Sequence, residues 1–137
     1  MIAAAPFTWP IRVYWEDTDA GGIVFYANYL KFFERARTEW LRSLGVSQST
    51  LKDGGDGMFV VSETSVRYRA PARLDDELLV TAQLEAGGRA SLIIAQKALR
   101  GDTLLCDGTI RIGWVDAATL RPGRIPPAIL DVLNTKA

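Results

Sequence analysis

One segment of the sequence constrains the fold more than any other, because it has the pattern of a single helix with a broad apolar face. Over residues 28–44, apolar residues recur at spacings of three and four, which places them on one side of an α-helix. This side carries Tyr29, Phe32, Phe33, Ala36, Trp40 and Leu44. Gly45 follows, at the position where glycine commonly ends a helix. A helix of this length measures roughly 25 Å, so its aromatic face needs a large apolar partner.

Charged residues occupy most of the remaining surface of this predicted helix. They are Lys31, Glu34, Arg35, Arg37, Glu39 and Arg42. Because arginines surround both glutamates, we expect ion pairs within the helix rather than a catalytic carboxylate. The aromatic residues around the helix start, Phe25 included, are expected to belong to the core, with Tyr26 as the exception.

The partner surface is predicted to be a β-sheet. Residues 11–17 combine β-branched and aromatic side chains and end in acidic turn formers, as expected of a strand. Four further strands are predicted over residues 58–70, 78–86, 90–100 and 103–115. Turn-forming pairs at residues 87–88 and 101–102 favour hairpins between the last three strands. Short helices are expected over residues 47–53 and in the tail at residues 126–134.

The order of these elements indicates an α+β fold in one domain that covers residues 1–137. One strand, one helix and about four consecutive antiparallel strands are most simply arranged as a curved meander around a long central helix. A helix surrounded on most sides by such a sheet is the hot-dog architecture. Because the sheet leaves an open edge, a second copy of the chain is expected to close it, and we predict a homo-oligomer.

Composition excludes several classes of function. Lys and Arg together number 16, as do Asp and Glu, so the formal net charge is +0 and nucleic acid is not an expected partner. No run approaches the ~20 apolar residues that a membrane-spanning helix needs. Prolines interrupt the N-terminal stretch too soon for a secretory signal. These features predict a cytoplasmic protein with no membrane insertion.

Cysteine and histidine content limits the chemistry further. Cys106 is the only cysteine in the sequence, which fits a reducing compartment and rules out an internal disulfide. It lies in the apolar run LLCDGTI, so it is interpreted as a small buried residue rather than a nucleophile. The sequence contains no histidine, and a zinc site is therefore not expected.

The stretch DTDAGGIVFYAN, directly before the predicted helix, holds the candidate chemistry. The first turn of a helix presents N–H groups without internal acceptors and carries partial positive charge, so it stabilises a carbonyl oxygen that gains negative charge. Gly21 and Gly22 let the backbone approach a ligand closely. Asp19 could act as a general base on water or attack a carbonyl directly. Spacing alone favours caps or turns here, an interpretation kept for Asp17 and Thr18.

The segment YWEDTDAGGIVFYANYLKFFERARTEWLRSLG resembles the signature region of the 4-hydroxybenzoyl-CoA thioesterase-like hot-dog family. It is most similar to the YbgC-type acyl-CoA thioesterases, which are associated with the Tol-Pal system of Gram-negative bacteria. The resemblance continues in VRYRAPARLDDELLVTAQL and WVDAATLRPGRIP and covers about residues 9–126. It implies hydrolysis of acyl-CoA with a short aliphatic or aromatic acyl group, without a metal or organic cofactor.

The resemblance also implies roles for individual residues. The family's catalytic carboxylate falls on Asp19, and the amide that polarises the thioester carbonyl falls on Tyr26. Many YbgC-type members carry histidine at the latter position, whereas 4-hydroxybenzoyl-CoA thioesterases can carry tyrosine. Gly22 and Val24 are the accompanying candidates for substrate binding. Implied partners besides acyl-CoA are further subunits, in a dimer or a dimer of dimers (a homotetramer), and acyl carrier protein.

The CoA phosphates need basic partners, and the stretch RYRAPAR supplies Arg67, Arg69 and Arg73 as candidates. Exposed arginines on a strand are more often solvated or paired within the protein. Two alternatives to catalysis stay open: a non-catalytic binding module for acyl-CoA or acyl carrier protein, and an interaction protein of lipid or envelope metabolism. The presence of Asp19 argues against a pure binder. A hot-dog dehydratase is not expected, because it depends on a histidine.

Overall fold

Five β-strands and two α-helices form within residues 5–47 and 57–136, the part of the chain that the computed structural model describes. The strands are β1 (Phe7–Arg12), β2 (Met58–Tyr68), β3 (Glu77–Gly87), β4 (Ser91–Arg100) and β5 (Thr103–Val115). The helices are α1 (Asn28–Ser43) and α2 (Pro127–Lys136). Neither described helix is long and apolar enough to cross a membrane. The predicted α+β class with about five strands is confirmed.

All strand pairings in the sheet are antiparallel, and the strand order is β1-β3-β4-β5-β2. The predicted meander is therefore correct for β3, β4 and β5 but wrong for β2, which pairs with β5 at the far edge. The eight-residue connection over residues 69–76 makes this crossover possible. Three strand spacings measure about 14 Å, and eight extended residues reach up to about 26 Å.

The first strand lies earlier in the chain than predicted. The sequence pattern placed it at residues 11–17, whereas β1 ends at Arg12 and Trp15–Asp17 forms a single 3-10 turn. The cause is the buried Asp17 carboxylate, which accepts the Tyr14 N–H at 2.8 Å and turns the chain away from the sheet. Pro10 is accommodated inside β1 because this is an edge strand.

The remaining predicted boundaries agree with the structure to within about two residues. The tail was expected to form a turn or two of helix, and it forms ten residues. The helix predicted over residues 47–53 falls outside the described residues, apart from Ser47. Helix α1 begins at Asn28 as predicted and ends one residue early, at Ser43. Gly45 follows with φ of +85°, which confirms the predicted helix end.

The apolar face of α1 packs on one side of the sheet, against β3, β1 and β4. The predicted core residues of this face are buried, and Leu44 is partly buried against them. Helix α1 is nevertheless not surrounded on most sides, because Leu30, Lys31, Glu34 and Arg35 are exposed. The prediction of an enclosed long helix was thus too strong for the single chain. Cys106 is completely buried, as predicted, and burial raises the pKa of its thiol to about 12.

Two side chains differ from the prediction in whether they are buried or exposed. Phe25 was assigned to the core but is 43% exposed and packs on the ring of Tyr26, 4.7 Å away between centroids. Arg37 was assigned to the charged surface but is buried, because it lies one turn from Phe33 and Leu41 on the apolar face. The predicted ion pairing within the helix is confirmed for Glu39, which lies 3.7 Å from Arg42.

Candidate active site

A tight hairpin turn before α1 carries the candidate carboxylate. The Asp19 N–H donates to the Ile23 carbonyl at 2.9 Å, and the Gly22 N–H donates back to the Asp19 carbonyl at 3.0 Å. Thr18 and Val24 form the bridge at the base of this turn. Gly22 has φ of +79°, a conformation that glycine adopts without the penalty other residues meet. The two glycines therefore serve the turn itself, whatever else they do.

Asp17 fixes the turn to the start of α1. It is only 4% exposed, and its carbonyl accepts hydrogen bonds from the Phe25 N–H at 3.0 Å and the Asn28 side-chain amide at 2.9 Å. The Thr18 hydroxyl donates to the Trp15 carbonyl at 3.0 Å. The structural interpretation of Asp17 and the local hydrogen bond predicted for Thr18 are both confirmed. These contacts hold the turn and the helix start in one fixed unit.

The Asp19 side chain is exposed in the single chain. Its Oδ1 accepts the Gly21 N–H at 2.8 Å, which is the contact expected of a turn-forming aspartate. Among the described residues, no hydrogen bond is made to its Oδ2. The carboxylate is therefore oriented by the turn through one oxygen while the other stays available to solvent or substrate.

The start of α1 has unsatisfied backbone donors. None of the described side chains caps the helix, and the preceding residue, Ala27, already has helical dihedral angles. The N–H groups of Phe25 and Asn28 are used, by the carbonyls of Asp17 and Phe25 respectively. Within residues 5–47 and 57–136, no hydrogen bond uses the Tyr26 N–H. Because the helix dipole places partial positive charge at this end, the site suits an oxygen that carries negative charge.

A cavity of about 260 Å³ opens beside this helix start. It is lined by Ile23, Val24, Tyr26, Tyr29, Tyr68, Arg69, Ala70 and Pro71. The fold therefore brings together the predicted residues Val24, Tyr26 and Arg69. Asp19 and Gly22 do not line this cavity, although the hydrogen bond to Ile23 joins their turn directly to its wall.

Three tyrosine rings contribute to the cavity wall. The ring of Tyr68 lies 6.0 Å from that of Tyr26 and 5.6 Å from that of Tyr29, measured between centroids. The Tyr29 hydroxyl oxygen accepts the Ala72 N–H at 3.1 Å, and this ties the cavity floor to the segment after β2. Burial raises the pKa values of both Tyr29 and Tyr68, so their hydroxyls stay protonated at neutral pH. The surface formed by these two rings is neutral and suits an apolar or aromatic group.

Tyr68 was missed by the sequence analysis as a site residue. It lies at the end of β2, in the middle of the RYR stretch, of which only the arginines were predicted to bind substrate. Strand alternation places Tyr68 on the face opposite to Arg67, its neighbour within β2. This alternation, together with the proximity of a strand end, was the available signal.

The three candidate arginines differ in their surroundings. Arg69 is paired with the carboxylate of Asp107, and the hydrogen bond between them lowers the pKa of Asp107. Arg67 and Arg73 are exposed and make no ion pair among the described residues. Arg73 forms a backbone bridge with Ile23, so it lies next to the turn that carries Asp19. The paired interpretation therefore fits Arg69 and leaves the other two unassigned.

In the described part of the chain, no three Cys, Asp or Glu side chains are grouped so that they could hold a metal ion. The candidate groups for chemistry at this site are accordingly one carboxylate, backbone amides and neutral phenols.

The sequence is similar to those of known thioesterases over most of its length. Residues 13–133 match the family described as the thioesterase-like superfamily. The chain is 40% identical over 123 residues to the acyl-CoA thioesterase YbgC of Haemophilus influenzae, with 90% of each chain covered. It is 42% identical over 125 residues to the acyl-CoA thioester hydrolase YbgC of Escherichia coli O6:H1, covering 90% of this chain and 92% of that one.

A solved structure agrees with these sequence matches. The crystal structure of a probable thioesterase from Bartonella henselae superposes with a TM-score of 0.85 and 31% identity, covering 89% of this chain and 100% of that one. The resemblance inferred from the sequence is thereby confirmed over most of the chain. The protein belongs to the thioesterase-like superfamily and has its hot-dog fold.

Proposed function

We propose that the protein hydrolyses acyl-CoA thioesters to a free acid and CoA. One observation carries the proposal. The Tyr26 N–H, which has no partner among the described residues, lies just before α1, and Ile23, three residues earlier, accepts a hydrogen bond from the Asp19 N–H. A carboxylate and a helix terminus can together supply the base or nucleophile and the oxyanion site that thioester hydrolysis without a metal uses. The names of the YbgC relatives, acyl-CoA thioesterase and acyl-CoA thioester hydrolase, support the same activity.

In the proposed reaction, the Tyr26 amide binds the thioester oxygen and stabilises it as negative charge develops. An oxyanion donor of this kind typically contributes a factor of about 10²–10³ in rate. The donor is a backbone group, so a tyrosine side chain at this position leaves it intact. The aromatic wall formed by Tyr29 and Tyr68 receives a short aliphatic or aromatic acyl group.

Asp19 can supply the second function by either of two routes. As a general base, it takes a proton from water while the oxygen of that water bonds to the acyl carbon. The carbon–sulfur bond then breaks and the CoA sulfur receives the proton. As a nucleophile, its carboxylate bonds to the acyl carbon and releases CoA, and water then cleaves the resulting anhydride. Both routes end in the same acid and thiol.

A second subunit completes the proposed site. Asp19 is exposed in the single chain. Its charge and the helix start act more strongly on the thioester where bulk solvent is excluded and charges are poorly screened. Strand β2 is an unpaired edge of 11 residues, with Val61 50% and Tyr68 47% exposed, and it lies beside the cavity. A homodimer, or a tetramer of two dimers, would cover both. Acyl carrier protein as a further partner and a cytoplasmic location also stay predictions.

The replacement Asp19→Asn tests the carboxylate. Because the amide can neither accept the proton nor form the anhydride, kcat should fall by about 10²–10⁴ while the fold is retained. Hydrolysis is measured on short-chain, long-chain and aromatic acyl-CoAs, and Asp102→Asn, in the exposed β4–β5 turn, serves as the matched control. Equal rates for parent and Asp19→Asn would remove Asp19 from the mechanism. Tight binding of acyl-CoA by the parent without turnover would instead favour a binding module.

A single turnover in ¹⁸O-labelled water distinguishes the two routes. The general-base route places one ¹⁸O atom in the product acid. The nucleophilic route, with water attacking the aspartyl carbon, leaves ¹⁸O in Asp19 and delivers unlabelled oxygen to the product. Mass spectrometry of the acid and of the peptide that contains Asp19 reads both outcomes.

A further inference from the structure

One carboxylate in the connection between β2 and β3 accepts hydrogen bonds from two different parts of the fold. Oδ2 of Asp76 accepts the Arg73 N–H and Nη1 of Arg100, both at 2.8 Å. The first donor belongs to the connection itself, whereas the second lies at the end of β4. Burial raises the pKa of Asp76, but these hydrogen bonds outweigh that effect, and the pKa lies below its ordinary value. The side chain is therefore ionised at neutral pH.

Further hydrogen bonds fix residues 71–76 to the sheet. Nη1 of Arg100 also donates to the Pro71 carbonyl, at 3.1 Å. The Asp76 N–H donates to the Arg73 carbonyl at 3.1 Å, so these two residues close a turn from both sides. The Asp76 carbonyl accepts the N–H of the buried Val13, just after β1, at 2.9 Å. Both ends of the segment are thus attached to neighbouring strands.

This segment in turn holds the hairpin turn that carries Asp19. The Ala72 carbonyl accepts the Val24 N–H at 2.9 Å, and the backbones of Ile23 and Arg73 form a bridge. The Ile23 carbonyl accepts the Asp19 N–H, also at 2.9 Å. A continuous path of backbone and hydrogen bonds therefore connects the carboxylate of the connection to the candidate catalytic carboxylate.

The same segment also holds the floor of the candidate active-site cavity. The Ala72 N–H donates to the Tyr29 hydroxyl oxygen at 3.1 Å, and both residues are buried. The two backbone groups of Ala72 are thus bound to different walls of the site, the carbonyl to the turn and the N–H to α1. All of these contacts lie within one chain, so they do not depend on how a second copy covers the site.

We propose that Asp76 is a positioning residue, which sets the place of Asp19 relative to the Tyr26 amide by fixing the backbone of residues 71–73. That this placement serves catalysis rests on the proposed function. Asp76 does not line the cavity, so it acts through the backbone and not on the substrate. A misplacement of about 1 Å can cost about 10²-fold in rate, which is why a carboxylate outside the cavity matters to the reaction.

The replacement Asp76→Ala removes both hydrogen bonds and tests the proposal. It should lower kcat for an acyl-CoA by about 10- to 100-fold, whereas KM should change little, because no group that lines the cavity is removed. Asp76→Asn retains an oxygen that can accept the Arg73 N–H, and it should recover most of the lost kcat. Glu77→Gln, which breaks the neighbouring exposed ion pair with Arg12, is the matched control and should leave kcat unchanged.

Amide hydrogen exchange followed by NMR reads the position of the turn without any substrate. In Asp76→Ala, the N–H groups of Asp19 and Val24 should exchange about tenfold faster, the change expected when a hydrogen bond to a charged group is lost. The Ile125 N–H, bonded to the Arg89 carbonyl at the other end of β4, should keep its rate. A parent without thioesterase activity would refute the proposed function, and the exchange rates would still decide whether Asp76 holds the turn.

A second variant keeps the test readable if Asp76→Ala folds poorly. Arg100→Met removes one of the two donors at a partly exposed position, and it should lower kcat and speed exchange of the same two amides by smaller factors. Because both side chains act on one segment, a double variant should lose little more kcat than Asp76→Ala alone.

Three results would overturn the proposal. The first is parent-like kcat, or parent-like exchange at Asp19 and Val24, in Asp76→Ala, or in Arg100→Met if only that variant folds. The second is an equal fall in kcat for Glu77→Gln. The third is an equal acceleration of exchange at Ile125, which would show that Asp76 contributes only to overall stability.

Discussion

Arg73 is the candidate CoA contact whose position is most closely tied to the candidate active site. Its backbone bridges to Ile23, whose carbonyl accepts the Asp19 N–H, and its side chain is exposed and unpaired among the described residues. Arg69, by contrast, is held by Asp107 and is less available to a phosphate. An exposed side chain at the rim of a site acts mainly on affinity and little on the chemical step.

We predict that Arg73→Ala raises KM for an acyl-CoA about two- to fivefold, the size expected of one exposed ion pair, with little change in kcat. The same acyl group carried on pantetheine has no CoA phosphates, and its KM should not change. Arg121→Ala, at an exposed position in the turn after β5, is the matched control. An equal rise in KM for the pantetheine thioester would show that Arg73 does not contact the phosphates.

Individual side chains were predictable where local hydrogen bonding decides their position. Asp17 and Thr18 follow from turn chemistry, which acts over three residues and is visible in the sequence. Arg37 was not predictable from charge, because a guanidinium was assigned to the surface. Its spacing of four from Phe33 was the better guide to its burial. Phe25 was misassigned because helical periodicity does not extend to residues before the helix.

At Gly108, strands β2 and β5 lie too close together for a side chain to fit between them. A Cβ atom placed on Gly108 would lie 2.1 Å from the Ser65 carbonyl oxygen and 3.0 Å from the Val66 Cα. These neighbours are backbone atoms, which cannot move without shifting β2. Gly113, on the same strand, has no atom nearer than 3.8 Å to such a Cβ.

We predict that Gly108→Ala lowers the free energy of unfolding by about 3 kcal/mol or more, since overpacking against backbone is costly. Gly113→Ala should change it by less than about 1 kcal/mol. Urea unfolding followed by tryptophan fluorescence measures both values. Similar stabilities for the two variants would mean that β2 can move away from β5 at little cost. Strand β2, beside the candidate active-site cavity, would then be held less rigidly than the structure indicates.

The type and extent of α1 and of the last three strands could be predicted, whereas the place of β2 in the sheet could not. Alternating and helical periodicities are local, and they located β3, β4, β5 and α1 to within about one residue at each end. Which strands pair depends on contacts between distant residues, and short turns reveal only hairpin neighbours. The crossover over residues 69–76 joins β2 to β3 without a hairpin, so nothing local indicated the edge that β2 occupies.

The two edges of the sheet differ in a way that indicates how the whole molecule associates. Strand β1 has six residues and contains Pro10, so it offers little backbone for pairing. Strand β2 has 11 residues, no proline and exposed apolar side chains. A second copy is therefore expected to pair along β2 and to cover the site that Asp19 leaves exposed.

Proline replacements test this association. Neighbouring residues of a strand point their N–H groups to opposite sides, so either Thr64 or Ser65 donates outward. Proline at the outward position should leave the fold stable but convert the oligomer to monomers and reduce kcat by tenfold or more. Proline at the other position should break the β2–β5 ladder and lower stability. Analytical ultracentrifugation and circular dichroism read these effects, and a parent that is already monomeric would refute the proposed assembly.

The placement of β2 against β5 also determines when the sheet can be finished. Tyr68 and its partner Cys106 lie 38 positions apart in the chain, and Met58 and Val115 lie 57 apart. Pairings over such separations form slowly, because a long loop must close before any contact is made. During synthesis, β2 is made before β5, and its apolar residues stay uncovered until β5 has been made. A chaperone that binds extended apolar segments would find its substrate in that interval.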